Sequence, residues 1–502
     1  MKFIRSPIFL WGFGGFVTQA LWVMLCYRSV AWWGERQWVQ TQAELRAKGE
    51  KLHLVELAPP PIPDKENFFA APVWQAVIDA PKDSKEKPLQ IFSDILKGPK
   101  GEALPRSAGL DTGQPQNLAE IAQILRPSDS SPEATPANAV LEALSVANPE
   151  LAAIQQAAER PLARYPVKYE EGFRMALPHA FALLKTAQYL NLRITAEADA
   201  GKSEEALRHL LLLFYLADSL NEEPVLISQL VRVSILQIAT QVIWEGQVRH
   251  AWSVPQLIAI QQRLNEVQIE NGLRQALRGE RGNINQTFDP ILKAASGCKL
   301  AAVLSGLLNS SDSADQRETL FVAQLYPRGW IFQDIAYSNN LLQRAIEQGS
   351  ALEQADYWKT TVEPELSDIA ASPRRFTHFI SLFTLPAVGG SMKSFQKTET
   401  RLRQAQIACA LERYRIAEGT YPAQLTALVP QYLTELPLDI CNQEDFRYRQ
   451  PAPDQFILWS VGPDRTDDQG KPMAKISSPT GDWVWQTVSE DHKDTQNRPG
   501  TN

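Results

Sequence analysis

The feature that most constrains this chain is a stretch of twenty residues near its N-terminus, Ile8–Tyr27, which contains no Asp, Glu, Lys, Arg or His. A helix of about 20 apolar residues is long enough to cross the hydrocarbon core of a bilayer. The remainder of the chain is mostly polar and contains no second stretch of this kind. The stretch therefore predicts a single transmembrane helix that carries a large body on one side of the membrane.

Charges beside this stretch predict its orientation. Lys2 and Arg5 precede it without any acidic residue, and Arg28 follows it directly. Lys and Arg are enriched on the cytoplasmic side of membrane spans, so we expect a cytoplasmic N-terminus and a periplasmic body. Trp32, Trp33 and Trp38 are typical of the aromatic belt at a membrane surface. The predicted location is the bacterial inner membrane, with a single pass.

Two other interpretations of the stretch are a cleaved signal peptide and a buried helix of a soluble protein. Ser29–Ala31 supplies the small residues that a signal-peptide cleavage site requires. The apolar core of a signal peptide is usually about 7–15 residues long, which is shorter than Ile8–Tyr27. An uncleaved signal-anchor is therefore the favoured interpretation.

Composition limits the function classes of the body. The 502 residues are enough for two or three domains, and 44% hydrophobic residues allow folded cores. The net charge of −7 argues against nucleic-acid binding, which usually depends on a basic surface. Four cysteines are too few for a disulfide scaffold. Cys409 and Cys441 could pair outside the cytoplasm, but two free thiols are favoured because no pattern places them close together.

Helical periodicity dominates the middle of the chain. Leu177, Phe181 and Leu184 recur at the spacing of one helix face. Turn residues such as those of Asp199–Ser203 separate one helix from the next. A stack of helical hairpins is therefore predicted, without the steady period of a true repeat protein.

Changes in composition divide the chain into predicted segments. The proline-rich run Ala58–Asp64 cannot form a helix or a central strand and indicates a stiff connector. A stretch rich in Pro, Ser, Asp and Lys follows, and we expect it to be only partly ordered. The predicted segments are a cytoplasmic tip with the signal-anchor (1–35), a membrane-proximal helix at Gln37–Lys48 with the connector (36–78), a partly ordered loop-rich segment (79–145), an α-helical hairpin domain (146–390), an α+β module (391–487) and a flexible tail (488–502).

The helical part carries no strong catalytic or metal motif. The six histidines are scattered, and no Cys or His pair has the spacing of a transition-metal site. Gly201–Ser203 looks like the end of a phosphate-binding loop, but it joins two predicted helices instead of a strand and a helix. His179 and His209 lie beside apolar helix faces and are expected to be structural. Acid pairs such as Glu222–Glu223 are expected to be solvated helix starts.

The pattern near the C-terminus changes from helical to alternating. A predicted helix ends at Gly419, and Tyr421–Pro422 turns the chain. Short strands are predicted at Phe446–Arg449, Phe456–Val461 and Asp482–Trp485. The predicted fold class is therefore mainly α, with an N-terminal transmembrane helix, a helical-hairpin body and a small C-terminal α+β module that contains a short antiparallel sheet.

Four motifs of this module resemble the globular part of the major pseudopilin of type II secretion. They are Ala410–Pro422, Leu428–Asp439, the WSVGPD turn at Trp459–Asp464 and the closing Asp482–Trp485. The whole layout also looks like that of large bacterial envelope proteins that end in such a module. The chain departs from pseudopilins at its N-terminus, which lacks a leader ending in Gly before an apolar helix with Glu at its fifth position. The N-terminal stretch is therefore expected to be an anchor and not a pilin helix.

The resemblance implies a calcium site, because the matching loop of pseudopilins holds a calcium ion. The candidate ligands here are Asp464, Asp467 and Asp468, with Asp482 as a further carboxylate on the last strand. Calcium binds six to eight oxygen atoms, so three carboxylates close together in the chain suit it. The alternative is an exposed hairpin turn that Asp and Gly residues stabilise.

These observations predict a non-catalytic, membrane-anchored envelope protein that acts as a scaffold or interaction module. Its predicted partners are the lipid bilayer, through Ile8–Tyr27, and an unidentified envelope protein. The resemblance implies an association with secretion or pilus-like machinery. The alternative from another class is an envelope hydrolase with a site in the helical domain, which requires a pocket where acidic residues meet His179 or His209.

Overall fold

A computed structural model describes residues 7–79, 89–98, 101, 104–105, 109–125, 135–293, 326–472 and 481–487 of the chain. Within these residues the fold is mainly helical, with a small antiparallel sheet near the C-terminus, as the sequence predicted. Lys2, Arg5 and the predicted flexible tail lie outside the described residues.

The helices, in chain order, are α1 (Pro7–Ala47), α2 (Pro72–Asp79), α3 (Gln90–Lys97), α4 (Gly109–Thr112), α5 (Leu118–Leu125), α6 (Pro136–Leu144), α7 (Asn148–Ala157), α8 (Pro178–Asp199), α9 (Ser203–Asp218), α10 (Leu226–Val248), α11 (Val254–Glu266), α12 (Ile269–Lys293), α13 (Arg328–Ile346), α14 (Ala351–Tyr357), α15 (Glu363–Ala371) and α16 (Phe379–Glu418). The strands are β1 (Leu438–Asp439), β2 (Glu444–Asp445), β3 (Arg447–Ala452), β4 (Gln455–Ser460) and β5 (Trp483–Gln486).

The N-terminal helix is longer than predicted. The sequence suggested a span at Ile8–Tyr27 and a separate helix at Gln37–Lys48, whereas α1 is continuous through both. The residues between the two segments include no proline, so no backbone hydrogen bond is lost there. The helix ends just before Gly49, whose φ of +79° lies in the left-handed region that glycine adopts readily.

The second half of α1 packs against α13. Trp38, Thr41 and Leu45 of α1 are buried in this contact region. The prediction that Trp38 belongs to the aromatic belt was therefore wrong, because this side chain packs inside the body. At Gly34 the two backbones approach so closely that an added Cβ atom would lie 2.2 Å from the carbonyl oxygen of Gly329. From Gly34 onward, α1 is therefore part of the folded body.

Helix α10 forms the centre of the body. It packs against α8, α9, α12 and α16. Among the described residues, α10 is the helix that is long and apolar enough to cross a membrane, judged by length and composition, and 67% of its most apolar window is buried inside the protein. These contacts make α10 a core helix of the body.

The segment that was predicted to be loop-rich contributes short helices to the body where the structure describes it. Asp111 of α4 accepts hydrogen bonds from Lys397 (2.7 Å) and Arg401 (2.8 Å) of α16. The backbone N–H of Gln116 donates to Glu245 of α10 at 3.0 Å. Residues 109–117 are thus held across the two long helices by buried and half-buried polar contacts.

The C-terminal module begins inside a long helix. The predicted boundary at residue 391 falls within α16, which runs from Phe379 to Glu418 and is followed by Gly419 with a φ of +80°. Strands β3, β4 and β5 form an antiparallel sheet in that order, with Leu458 opposite both Tyr448 and Trp485. The three observed strands lie within three residues of the predicted bounds at each end.

The sheet shares a core with the helical body. The indole N–H of Trp485 donates to the side chain of Gln247 at 2.9 Å, and that of Trp244 donates to the carbonyl of Gln486 at 2.8 Å. Cys409 and Cys441 are both buried and free, in agreement with the favoured interpretation. The α+β module is therefore joined to α10 by packing and by hydrogen bonds.

Candidate functional site

The acidic loop between β4 and β5 begins on a buried carboxylate. Asp439 is 1% exposed and accepts hydrogen bonds from the backbone N–H of Cys441 (3.0 Å), the hydroxyl of Ser460 (2.8 Å) and the backbone N–H of Val461 (3.1 Å). Since a buried carboxylate is costly without such donors, these contacts fix where the loop leaves the sheet.

Asp482 holds the other side of the same loop. It is 1% exposed and accepts hydrogen bonds from the backbone N–H groups of Asp468 (3.3 Å) and Gly470 (2.7 Å). Burial raises the pKa of Asp482 to about 6, and the negative charges of Asp467 and Asp468 act in the same direction. The structure thus brings Asp482 to the loop, as the sequence suggested.

The three candidate calcium ligands on the loop serve different contacts. Asp464 accepts a hydrogen bond from the backbone N–H of Thr466 at 3.3 Å. Asp467 accepts from the indole N–H of Trp459 (2.9 Å) and the backbone N–H of Gln469 (2.8 Å), and these donors lower its pKa.

Asp468 contributes its backbone N–H to Asp482. Within the described part of the chain, no group of three or more His, Cys, Asp or Glu side chains is arranged to hold a metal ion. In this arrangement the carboxylates stabilise the turn itself and do not form a shared ligand set, so the calcium site stays a prediction.

The two histidines of the helical body form buried pairs with glutamates. Nε2 of His179 lies 2.7 Å from Oε1 of Glu223, and Nδ1 of His209 lies 2.7 Å from Oε2 of Glu197. His179 also stacks on the ring of Tyr165 at a centroid distance of 3.8 Å. These contacts connect α8 to α9 and to the segment between α9 and α10.

The prediction for Glu223 was wrong, because this residue is 4% exposed and is not part of a solvated helix start. Its sequence neighbourhood contains an acid pair followed by Pro224, which resembles a surface turn. Its partner His179 lies 44 residues away in the chain, so no local pattern identifies the pair.

Two clefts on the surface lie away from the histidine–glutamate pairs. The larger, about 920 Å³, lies between α11, α16 and the chain around Tyr432–Leu438, where Arg413 donates to Gln261 at 2.7 Å. A smaller cleft of about 270 Å³ lies between α1 and α13. Neither cleft is lined by His179 or His209, which the hydrolase alternative would require.

The most unusual surface of the described chain lies on the first half of α1. Leu21, Trp22, Met24 and Leu25 are successive or nearly successive apolar residues, and each is more than half exposed. The same helix is buried at Trp38, which is 4% exposed. Contiguous apolar surface of this kind indicates a membrane or protein interface.

No family model, no curated protein and no solved structure matches this chain. The resemblance of the C-terminal module to a pseudopilin therefore stays a prediction.

Proposed function

We propose that the protein is a non-catalytic, membrane-anchored scaffold of the bacterial envelope, with α1 crossing the inner membrane and the body acting as an interaction module. The observation that carries this proposal is the contrast between the two halves of α1. Residues around Leu21–Tyr27 expose apolar side chains to the surroundings, whereas residues from Gly34 onward pack against α13.

The dimensions of α1 support the proposal. The apolar stretch Ile8–Tyr27 corresponds to about 30 Å of helix, which matches the hydrocarbon thickness of a bilayer. Trp32 and Trp33 follow it and are 58% and 63% exposed. Exposed tryptophans are favourable at the level of the lipid headgroups. The proposed bilayer therefore ends between Tyr27 and these tryptophans.

The packing of α1 against α13 supports a body that is fixed relative to the membrane over one that moves on a flexible tether. No flexible linker separates the apolar half from the docked half, because α1 is one continuous helix. Lys48 at its end also forms a salt bridge with Glu347 of α13 at 2.6 Å. The body would therefore hold a defined orientation relative to the membrane and present a constant surface to an envelope partner.

The pseudopilin resemblance bears on the class of that partner. We propose a periplasmic body that associates with secretion or pilus-like machinery without polymerising. The first half of α16 is packed inside the body, with Ile380, Leu385 and Val388 buried. A pilus subunit would need such a helix to be available for contacts with other subunits, so recruitment as a fixed component suits this chain better.

The anchoring is tested by placing charge on the exposed apolar face. The double variant Leu21→Asp, Leu25→Asp should weaken the retention of the protein in membranes during alkaline extraction, because an acidic residue is unfavourable within a span, by up to about 3 kcal/mol at its centre. The matched control is Val39→Asp, which changes an apolar residue of the same helix that is 57% exposed.

The control variant should stay in the membrane, because Val39 lies in the half of α1 that packs against the body, outside the proposed bilayer. Equal retention of the double variant and the parent protein would refute a membrane span at Ile8–Tyr27. Crosslinking in intact cells, followed by identification of the neighbours, tests the scaffold part of the proposal, and recovery of the protein without any envelope neighbour would contradict it.

A further inference from the structure

A short exposed segment before α16 combines positive charge with an aromatic ring. Arg374 and Arg375 are exposed, and Phe376 is 57% exposed. The guanidinium of Arg375 lies 4.9 Å from the centre of the Phe376 ring. The turn is held by Ser372, whose hydroxyl accepts from the backbone N–H of Arg374 at 3.2 Å. The segment Ser372–Phe376 is therefore a defined turn that presents two cations and a large apolar side chain.

This segment is attached to the beginning of α13. The hydroxyl of Tyr326 donates to the carbonyl oxygen of Phe376 at 2.5 Å. The Tyr326 ring also lies 5.5 Å from that of Trp330 and 6.3 Å from that of Phe379. The height of Ser372–Phe376 relative to the membrane is therefore set by the position of Tyr326.

The packing of α13 on α1 places Tyr326 at the edge of the proposed bilayer. Gly329 contacts Val30, and Glu347 binds Lys48, so both contacts join residues that are 299 positions apart. The close approach of Gly34 to Gly329 has an offset of 295, about one helical turn smaller, so the two helices run parallel. With offsets of 295 to 299, Tyr326 is level with residues 27 to 31, at the end of the apolar stretch.

Further charges at this level favour an anionic surface. Arg28 is exposed directly after the apolar stretch, which adds one cation to those of Ser372–Phe376. Asp334, in contrast, is 0% exposed and accepts hydrogen bonds from the backbone N–H groups of Ile380 and Ser381 at the start of α16. Its carboxylate is therefore directed into the protein and does not neutralise the exposed arginines.

Glu365 of α15 acts on the segment through His378, and Asp368 of the same helix is exposed. Burial lowers the pKa of His378, the charge of Arg374 acts in the same direction, and the negative charge of Glu365 acts in the opposite direction. Glu365 is only partly exposed, whereas both arginines are exposed. The exposed charge of Ser372–Phe376 is therefore positive.

We propose that Ser372–Phe376 is a second membrane contact, which binds the headgroups of anionic phospholipids and so holds the body face-down on the bilayer. This inference rests on the proposed anchoring by α1. A guanidinium group can donate two parallel hydrogen bonds to the oxygens of one phosphate. Phe376 would enter the headgroup region beside the two arginines. The anchor and this contact lie on different elements, so together they fix the rotation of the body about α1 as well as its distance from the membrane.

The contact is tested with the full chain in lipid nanodiscs made of phosphatidylcholine alone or mixed with phosphatidylglycerol. The measurement is hydrogen exchange of the backbone amides in residues 374–378. Each basic residue beside an anionic surface strengthens binding by about fivefold, so exchange should be about 25-fold slower in the anionic discs. High salt should reduce this difference, because it screens exposed charges.

The test variant is Arg374→Gln, Arg375→Gln, which should lose the difference between the two kinds of disc. The matched control is Lys202→Gln, Arg208→Gln, two exposed cations near the turn between α8 and α9. Asp199 at this turn binds Arg249 at the end of α10, and Gln247 of α10 donates to the carbonyl of Ala408, which lies about 40 Å along α16 from its start. The control variant should keep the slow exchange of residues 374–378 in anionic discs.

The outcomes separate this inference from the proposed anchoring. Failure of the parent protein to enter either kind of disc would refute the anchoring by α1. Entry into both discs with equal exchange at residues 374–378 would overturn the lipid contact and leave the anchoring in place. Slow exchange that persists in the Arg374→Gln, Arg375→Gln variant would also overturn it, because the arginines would then not carry the contact.

Discussion

Two apolar helices of this protein, α1 and α10, have opposite surroundings. α10 is long and apolar enough to span a membrane, yet 67% of its most apolar window is buried among other helices. The apolar residues Leu21–Leu25 of α1 are not covered in this way by the part of the chain that the structure describes, and Trp22 is 66% exposed. The comparison shows that apolar composition indicates a need for burial, whereas the partners of a helix decide how that need is met.

The polar residues of α10 show how closely the body is fitted around it. The side-chain amide of Gln229 donates to the carbonyl oxygens of Leu220 (2.8 Å) and Glu223 (2.9 Å). Gln247 donates to the carbonyl of Ala408 at 3.0 Å. These groups meet partners from other segments, which is the condition for burying polar atoms inside a folded protein.

The largest expected difference between the two helices concerns their tryptophans. Trp244→Ala in α10 should destabilise the body by about 3–5 kcal/mol, because it leaves a cavity in the core. Trp22→Ala in α1 should change the free energy of unfolding of the body by less than about 0.5 kcal/mol. The measurement is denaturant unfolding in detergent. A loss of stability of similar size in both variants would show that the body also covers the first half of α1.

The second prediction compares a glycine of α1 in a close helix contact with a glycine of α16 that has open space around it. Gly34→Ala should destabilise the docked half by about 1–3 kcal/mol, because the new Cβ would overlap the backbone of Gly329. Gly390→Ala is the control, since a Cβ at this position of α16 meets nothing within 4 Å.

The Gly390→Ala variant should be more stable by up to about 1 kcal/mol, because alanine is the better helix former. The same unfolding experiment measures both changes. Neutral behaviour of Gly34→Ala would mean that α1 is not held against α13 at this point.

The smallest expected effect concerns Asp482, at the end of the sheet that α10 supports. Its pKa is raised to about 6 in the folded protein, so between its ordinary pKa and this value the folded state binds the proton more tightly than the unfolded state. This group therefore lowers stability as the pH rises from about 4 to 6. The melting temperature of Asp482→Asn should fall less over this range than that of the parent protein, and an equal fall would contradict the assignment.

The same measurement tests the predicted calcium site. A calcium ion on the loop would favour the ionised carboxylate, so millimolar calcium should raise the melting temperature of the parent protein more at pH 7 than at pH 4.5. The Asp467→Ala, Asp468→Ala variant should lose this rise. Absence of any calcium effect on the parent protein would remove the calcium hypothesis and leave the loop as a stabilised turn.

Much of the fold could be predicted because its signals are local. Gly419 ends α16 as expected, since its left-handed backbone conformation suits glycine. The strands of the C-terminal sheet were found from alternating residues and turn residues. The continuity of α1 was missed, because polar and aromatic residues at 28–36 resemble a break when the contact of Gly34 with Gly329 is unknown.

The candidate sites were less predictable, because their partners are distant in the chain. His179 meets Glu223, 44 residues away, and Asp334 meets Ser381, 47 residues away. The position of Arg374 and Arg375 relative to the proposed bilayer depends on the parallel packing of α13 on α1. No local sequence pattern contains this information.

The sequence by itself determined which segments are apolar, which are helical and where the chain turns, because backbone preferences and side-chain periodicity act over a few residues. Only the tertiary structure decided that α10 is covered by the body and that Leu21–Tyr27 is not. The physical reason is that the hydrophobic effect has no direction of its own. It favours the removal of every apolar helix from water, and the arrangement of the other helices determines whether the helix is buried in protein or in lipid.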